Sequence, residues 1–169
     1  MKIKLLLTFA LCGFMSFCSG QGNPAWDKWD WLIGTWKGEG SGQPGQGGGT
    51  FSFTFDLNKN VIVRKSHSEY PAADNKPLII HDDLMVVYHN PGGGPDKAIY
   101  FDNEGHTINY TVNYQVKSIV MTSDKLPQTP VFRLVYTLLE NEKVNTRFEM
   151  SQDGEKFTPY VEGKSKKAD

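Results

Sequence analysis

Trp31-Leu32-Ile33-Gly34-Thr35-Trp36-Lys37-Gly38-Glu39-Gly40-Ser41-Gly42 carries an aromatic lead-in through Gly-Thr-Trp into alternating small and polar residues. That order fits a chain running into the first strand of a closed sheet, with Trp36 plugging one end. Glycine lets backbone pass close to backbone, so Gly34, Gly38, Gly40 and Gly42 predict a strongly bent first strand. Just upstream, Asn23 is placed as a cap and Pro24 at a first helical position, which predicts a short helix or 3₁₀ turn over 22–32. Trp26, Trp29 and Leu32 then share one side and form a lid over one end of the barrel.

The chain begins Met1-Lys2-Ile3-Lys4, continues through an apolar run over 5–17, and reaches Ser19-Gly20 before polar Gln21. This is the pattern of a secretory signal peptide, with cleavage expected after Gly20 and a secreted or periplasmic product. The apolar run is about 13 residues, whereas a membrane span needs roughly 20. Lipid attachment at Cys18 is disfavoured by bulky Phe17 in front of it, where a small residue is expected. Cys12 and Cys18 are the only cysteines, so the processed chain has no disulfide and no thiol ligand. Residues 21–169 are enough for one domain and too few for two comfortable ones. Without Lys2 and Lys4 the net charge is near −3, which argues against a nucleic-acid partner.

Downstream, the glycines of 43–49 lack the following Lys-Ser or Lys-Thr and the helix that a phosphate loop needs. They lead instead into Phe51-Ser52-Phe53-Thr54-Phe55, a strict alternation that predicts a strand. Further strands are predicted over 61–70, 78–89, 97–101, 106–114, 117–123, 131–139, 144–150 and 157–162. Polar and glycine-rich turns separate them, and no long helical periodicity intervenes. About nine or ten short strands predict an all-β fold: a closed antiparallel up-and-down barrel, since closure removes the edges that an open sheet must protect.

At Gly34-Thr35-Trp36 the chain resembles the calycin superfamily, whose lipocalin and fatty-acid-binding members place Gly-x-Trp on the first strand. The longer stretch, with Trp31-Leu32, Gly38-Glu39-Gly40-Ser41-Gly42 and Pro44, resembles the opening of nitrobindin-like haem-binding β-barrels. The resemblance implies a ligand-binding barrel, with Gly34 and Trp36 as structural signature residues. It also implies a late cation stacked on Trp36, for which Arg147 is the arginine nearest the end. Nitrobindin-like proteins ligate haem iron through a histidine near the end of the chain, but no histidine follows His106. Haem is therefore not expected. A displaced ligand would have to be His81, His89 or His106.

Period-2 geometry puts His67 and Glu69 on one side of their strand with Val61, Val63 and Lys65. Facing inward they would form an acid-base pair; facing outward they are surface groups. His106 follows the polar turn Asp102-Asn103-Glu104-Gly105 and is a second acid-base candidate at a barrel mouth. A metal site needs three or four converging ligands, and the spacing brings no such set together, so none is predicted. No nucleophile-base-orienter set is evident either. The principal expectation is binding of a small apolar or amphipathic molecule, without catalysis, in a cavity lined in part by Phe53, Tyr110 and Tyr114. An enzyme using His67, Glu69 or His106 is the alternative.

Overall fold

The computed structural model describes residues 26–40, 49–70 and 78–168. The expected signal peptide, its cleavage point and the Asn23-Pro24 cap lie outside the described residues. Ten strands follow in chain order: β1 (Gly34–Gly38), β2 (Thr50–Asp56), β3 (Val61–Tyr70), β4 (Ile79–Tyr88), β5 (Lys97–Asp102), β6 (Thr107–Gln115), β7 (Ser118–Ser123), β8 (Val131–Leu138), β9 (Val144–Ser151) and β10 (Thr158–Lys167). Each pairs antiparallel with its sequence neighbour, and β1 pairs with β10, so the meander closes into a barrel. A 3₁₀ turn at Glu140–Glu142 is the one helical element among the described residues. Residues 26–33, expected as a helix or 3₁₀ turn, form successive hydrogen-bonded turns. Trp29 N donates to Trp26 O at 2.7 Å and Leu32 N to Trp29 O at 2.8 Å.

The largest departure from expectation is β10, which runs to Lys167 rather than ending at 162. Its start is irregular because Pro159 cannot donate to the ladder. The register with β9 shifts between Pro159 and Val161, leaving Tyr160 as the extra residue of a bulge. Gly49 is required where the chain returns into β2. Its φ is +86°, and a Cβ there would lie 2.0 Å from the His67 carbonyl oxygen.

Antiparallel up-and-down order sends alternate turns to opposite ends. Residues 26–33 and the turns after β2, β4, β6 and β8 gather at one end, the base; the turns after β5, β7 and β9 gather at the other, the mouth. The base is sealed by Trp26, Trp29, Leu32 and Trp36, each no more than 4% exposed. Trp36 Nε1 donates to Leu32 O at 2.8 Å, Trp26 Nε1 to Lys59 O at 2.8 Å, and Trp29 Nε1 to Tyr114 Oη at 2.8 Å. Each indole thus buries its rings while its N–H keeps a partner, the condition for placing tryptophan in a core. Above the lid, Phe51, Phe53, Ile62, Met85, Val87, Tyr110, Val112, Ile119, Met121, Leu134 and Tyr136 continue the apolar core.

Candidate functional site

Toward the mouth the interior changes character. On β3 the inward set is Ile62, Arg64, Ser66, Ser68 and Tyr70; on β4 it is His81, Asp83, Met85 and Val87. Strand alternation therefore carries a charged residue of each sign inside, at the level where the apolar core stops. Arg64 Nη1 donates to Asp83 Oδ1, and the two side chains are only 8% and 6% exposed. Burial works against the charge on Arg64, yet the neighbouring Tyr136 and Asp83 hold its guanidinium above its usual range. Burial pushes the Asp83 carboxyl up, with Arg64 pulling the other way.

From this pair a hydrogen-bonded chain climbs to the rim. His81 Nε2 lies 3.7 Å from Asp83 Oδ2 and is hydrogen-bonded to Tyr100 Oη at 3.1 Å, while its Nδ1 meets Glu104 Oε1 at 3.0 Å. The Tyr100 hydroxyl donates to Asp102 Oδ2 at 3.3 Å. Burial, with Asp83 and Asp102 beside it, pushes the Tyr100 phenol up and keeps it protonated. Asp102 also accepts the backbone N–H groups of Glu104 and His106 at 3.0 and 2.9 Å and faces His106 Nδ1 at 2.9 Å. Burial opposes ionisation of Asp102, but the His106 amide and ring and the Glu104 amide outweigh it, so its carboxyl sits below the usual range. The turn chemistry of Asp102-Asn103-Glu104-Gly105 thus also serves to aim a carboxylate inward.

Opposite this polar wall, β8, β9 and β10 present aromatic groups. Phe132 and Phe148 stack with centroids 5.6 Å apart and rings 12° from parallel, and Tyr160 meets Phe148 edge-on at 6.3 Å. A guanidinium-carboxylate-phenol-imidazole wall facing a phenyl wall is an amphipathic lining.

The residues singled out from sequence fall in three places. His67 and Glu69 lie on the outer face, 48% and 59% exposed, where His67 also bonds Asp82 Oδ1 at 2.6 Å. Hydrogen bonds that its ring donates to Asp82 and then to Glu69 hold the His67 imidazolium above its usual range. His67 and Asp82, but not Glu69, line an open groove of about 620 Å³ that takes in Lys65, Leu84 and Phe101 together with the inward-facing Asp83 and Asp102. Phe53 and Tyr110 are sealed in the core at 0% and 2% exposure. Tyr114 is at the base, donating to Asp96 Oδ2 and bordering a separate hollow of about 520 Å³ with Trp29, His89 and Asp96. The three expected lining residues therefore do not share one open surface, since Tyr114, on the same face of β6 as Tyr110 but near the strand's end, lies at the tryptophan lid.

Arg147 is not the cation on Trp36. It lies on the outer face of β9, its Nε 2.8 Å from Glu149 Oε1. Lys167, inward-facing at the end of β10, brings its Nζ to 5.5 Å from the Trp36 ring. The reason is register: Trp36 is the cross-strand partner of Lys167.

The four histidines are each engaged with a carboxylate: His67 with Asp82 and Glu69, His81 with Glu104, His89 with Asp96, His106 with Asp102. Among the described residues, His81 is the ring that faces the upper interior, and both its nitrogens are occupied by Glu104 and Tyr100. His89 is stacked on Trp26 at 3.8 Å below the core, and His106 stands on the rim, 63% exposed. His89 Nε2 is buried without a hydrogen-bond partner among the described residues, and it lies at the base beside Trp26 rather than in the upper interior. Among the described residues no group of three or more His, Cys, Asp or Glu could hold a metal ion, and no helix is long and apolar enough to cross a membrane. No protein-family model matches the chain, and no curated protein matches it.

Proposed function

We propose that this chain is a calycin-type barrel, secreted or periplasmic, that binds a small, largely apolar molecule at its mouth and performs no chemistry on it. The observation that carries the reading is the divided lining: Arg64, Asp83, Tyr100 and His81 on one side, Phe132 and Phe148 on the other. A barrel serving only as a solid structural block would gain nothing from a buried ion pair, because an apolar pair of equal volume is commonly as stable or more so. In this reading Phe53 and Tyr110 form the floor of the site, and Tyr114 belongs to the base. Burying one aromatic ring against a ligand contributes roughly 1.5–3 kcal/mol, so two or three support micromolar affinity after the losses of association.

The test is native mass spectrometry and dye displacement on residues 21–169. Micromolar displacement by amphipathic compounds, weakened about tenfold by Phe148→Ala with the thermal midpoint retained, is the expected result. Failure of every apolar and amphipathic compound to displace the dye overturns the reading.

A further inference from the structure

The open groove of about 620 Å³ beside His67 crosses the strands rather than following them. Its lining falls into two outward rows set by the ladders. Ser52, Lys65, Leu84 and Phe101 are successive cross-strand partners on β2, β3, β4 and β5. One step nearer the mouth, Thr50, His67 and Asp82 are partners in the same way, and Asn103 stands beside Asp82. Phe51, Ser66, Asp83 and Asp102 form the register line between the two rows. Their side chains turn inside, so the floor of the groove is ladder backbone.

The two walls differ in chemistry. On one, the Phe101 ring is 43% exposed beside half-buried Leu84. On the other, His67 Nδ1 meets Asp82 Oδ1 at 2.6 Å. Asn103 Oδ1 accepts from Asp82 N at 3.1 Å, and Asn103 Nδ2 donates to Ile80 O at 3.0 Å. These bonds hold the polar wall in place without exhausting it. Among the described residues, Asp82 Oδ2 is still open as an acceptor, Asn103 keeps a second amide hydrogen, and the Thr50 and Ser52 hydroxyls have no partner.

Charge and length narrow what such a groove can take. Lys65 and the His67 imidazolium are balanced by Asp82 and Glu69, so the groove does not select an ion. A wholly apolar ligand would cover the Asp82 wall and leave its polar groups unpaired. An extended peptide could not add to the sheet, because the floor amides and carbonyls are spent in the ladders and a closed barrel has no edge strand. From β2 to β5 is three strand spacings, about 14 Å at about 4.8 Å each, which is close to the length of about three linked pyranose rings. Sugar hydroxyls both donate and accept, as this wall requires, and the C–H face of a pyranose packs on an exposed aromatic ring. We propose that the groove binds a neutral linear oligosaccharide, with Phe101 as the stacking platform and Asp82, Asn103 and Ser52 as hydroxyl partners. The site lies on outward residues of β2 to β5 and is separate from the mouth lined by Phe148.

The experiment titrates the protein with cellotriose, maltotriose, β-1,4-mannotriose and chitotriose, with glucose and trigalacturonate as controls, by calorimetry and ¹H–¹⁵N NMR. At least one neutral trisaccharide should bind with a Kd below about 1 mM and about tenfold tighter than glucose. Its addition should move the amides of 65–67, 82–84 and 101–103. Phe101→Ala should weaken that binding about tenfold, and Phe101→Trp should retain it. Ser52→Tyr, which fills the trough, should abolish it, with the thermal midpoint kept because the position is outward. Phe148→Ala should leave it unchanged. Failure of every neutral trisaccharide to bind overturns the proposal, as does glucose or trigalacturonate binding equally well. Full affinity in both Phe101→Ala and Ser52→Tyr, or a loss of affinity in Phe148→Ala alone, places the sugar elsewhere and also overturns it. None of these outcomes bears on dye displacement by amphipathic compounds, so the reading of the mouth stands or falls separately.

Discussion

Lys167 reaches across Gly34 to lie over Trp36, its Nζ 5.5 Å from the ring and its Cε 3.1 Å from where a side chain on Gly34 would begin. The two ends of the barrel wall are thereby pinned at one indole, and the glycine of Gly34-Thr35-Trp36 leaves the path for the lysine stem. A cation over an indole at a partly exposed site contributes about 0.5–1 kcal/mol. A double-mutant cycle between Trp36→Phe and Lys167→Met should return coupling of that size, whereas Trp36→Phe with Arg147→Met should return none. Coupling confined to the Arg147 cycle would refute the assignment.

The buried Arg64–Asp83 pair predicts an asymmetry. Asp83→Ala strands a guanidinium inside the barrel and should cost on the order of 3–5 kcal/mol in denaturant unfolding. The double replacement Arg64→Met with Asp83→Leu removes both charges and should recover most of that loss. If the single and double variants are equally unstable, the ion pair is not what the interior is organised around.

At the rim, Asp102 and His106 make stability depend on pH in a defined direction. His106 is held above its ordinary value of 6.5 by Asp102, so its contribution is full below 6.5 and is lost as pH rises through the folded value. Asp102 is held below its ordinary value of 3.8, so its contribution is full above 3.8 and is lost as pH falls through the folded value. The difference in thermal midpoint between wild type and Asp102→Asn should therefore be largest between about pH 4 and 6.5. It should narrow at higher pH without vanishing, because the carboxylate still accepts two backbone N–H groups. An NMR titration of His106 that is identical in wild type and Asp102→Asn would contradict this.

Gly49 is fixed by backbone geometry. Alanine there would hold φ near +86° and drive its Cβ into the His67 carbonyl. Gly49→Ala should destabilise by at least about 1–2 kcal/mol from the left-handed backbone alone, measured by chemical unfolding. A control at Gly105, where φ is +90° but nothing lies within 4 Å of the added carbon, should cost less.

Strand positions were legible in the sequence because alternation and turn residues are local signals. Phe51-Ser52-Phe53-Thr54-Phe55 needs no tertiary context to be a strand, and Val61 to Tyr70 is bounded by the turn before it. Which face of a strand is inside is a different matter. On β3 one parity holds Val61, Val63, Lys65, His67 and Glu69, and the other Ile62, Arg64, Ser66, Ser68 and Tyr70. Both mix apolar with polar residues, so hydrophobicity does not choose, and the structure puts the set containing arginine inside. The signal that could have found the ion pair was on β4, where Asp83 shares parity with Met85 and Val87. A carboxylate on a core-facing parity needs a partner across the strands, and Arg64 is the matching cation one strand away. Lys167 escaped notice because the end of β10 is polar and lacks apolar alternation.

The β1–β10 closure joins Trp36, Lys37 and Gly38 to Lys167, Lys166 and Ser165. These partners are about 130 residues apart along the chain, the longest separation of any strand pair in the barrel, and topology of that kind slows folding. Vectorial synthesis at the ribosome makes the delay unavoidable: until β10 has emerged, β1 waits with one side of its backbone unpaired. A chain halted before Val161 would keep two bare strand edges indefinitely, which is the form most open to joining a second copy of itself.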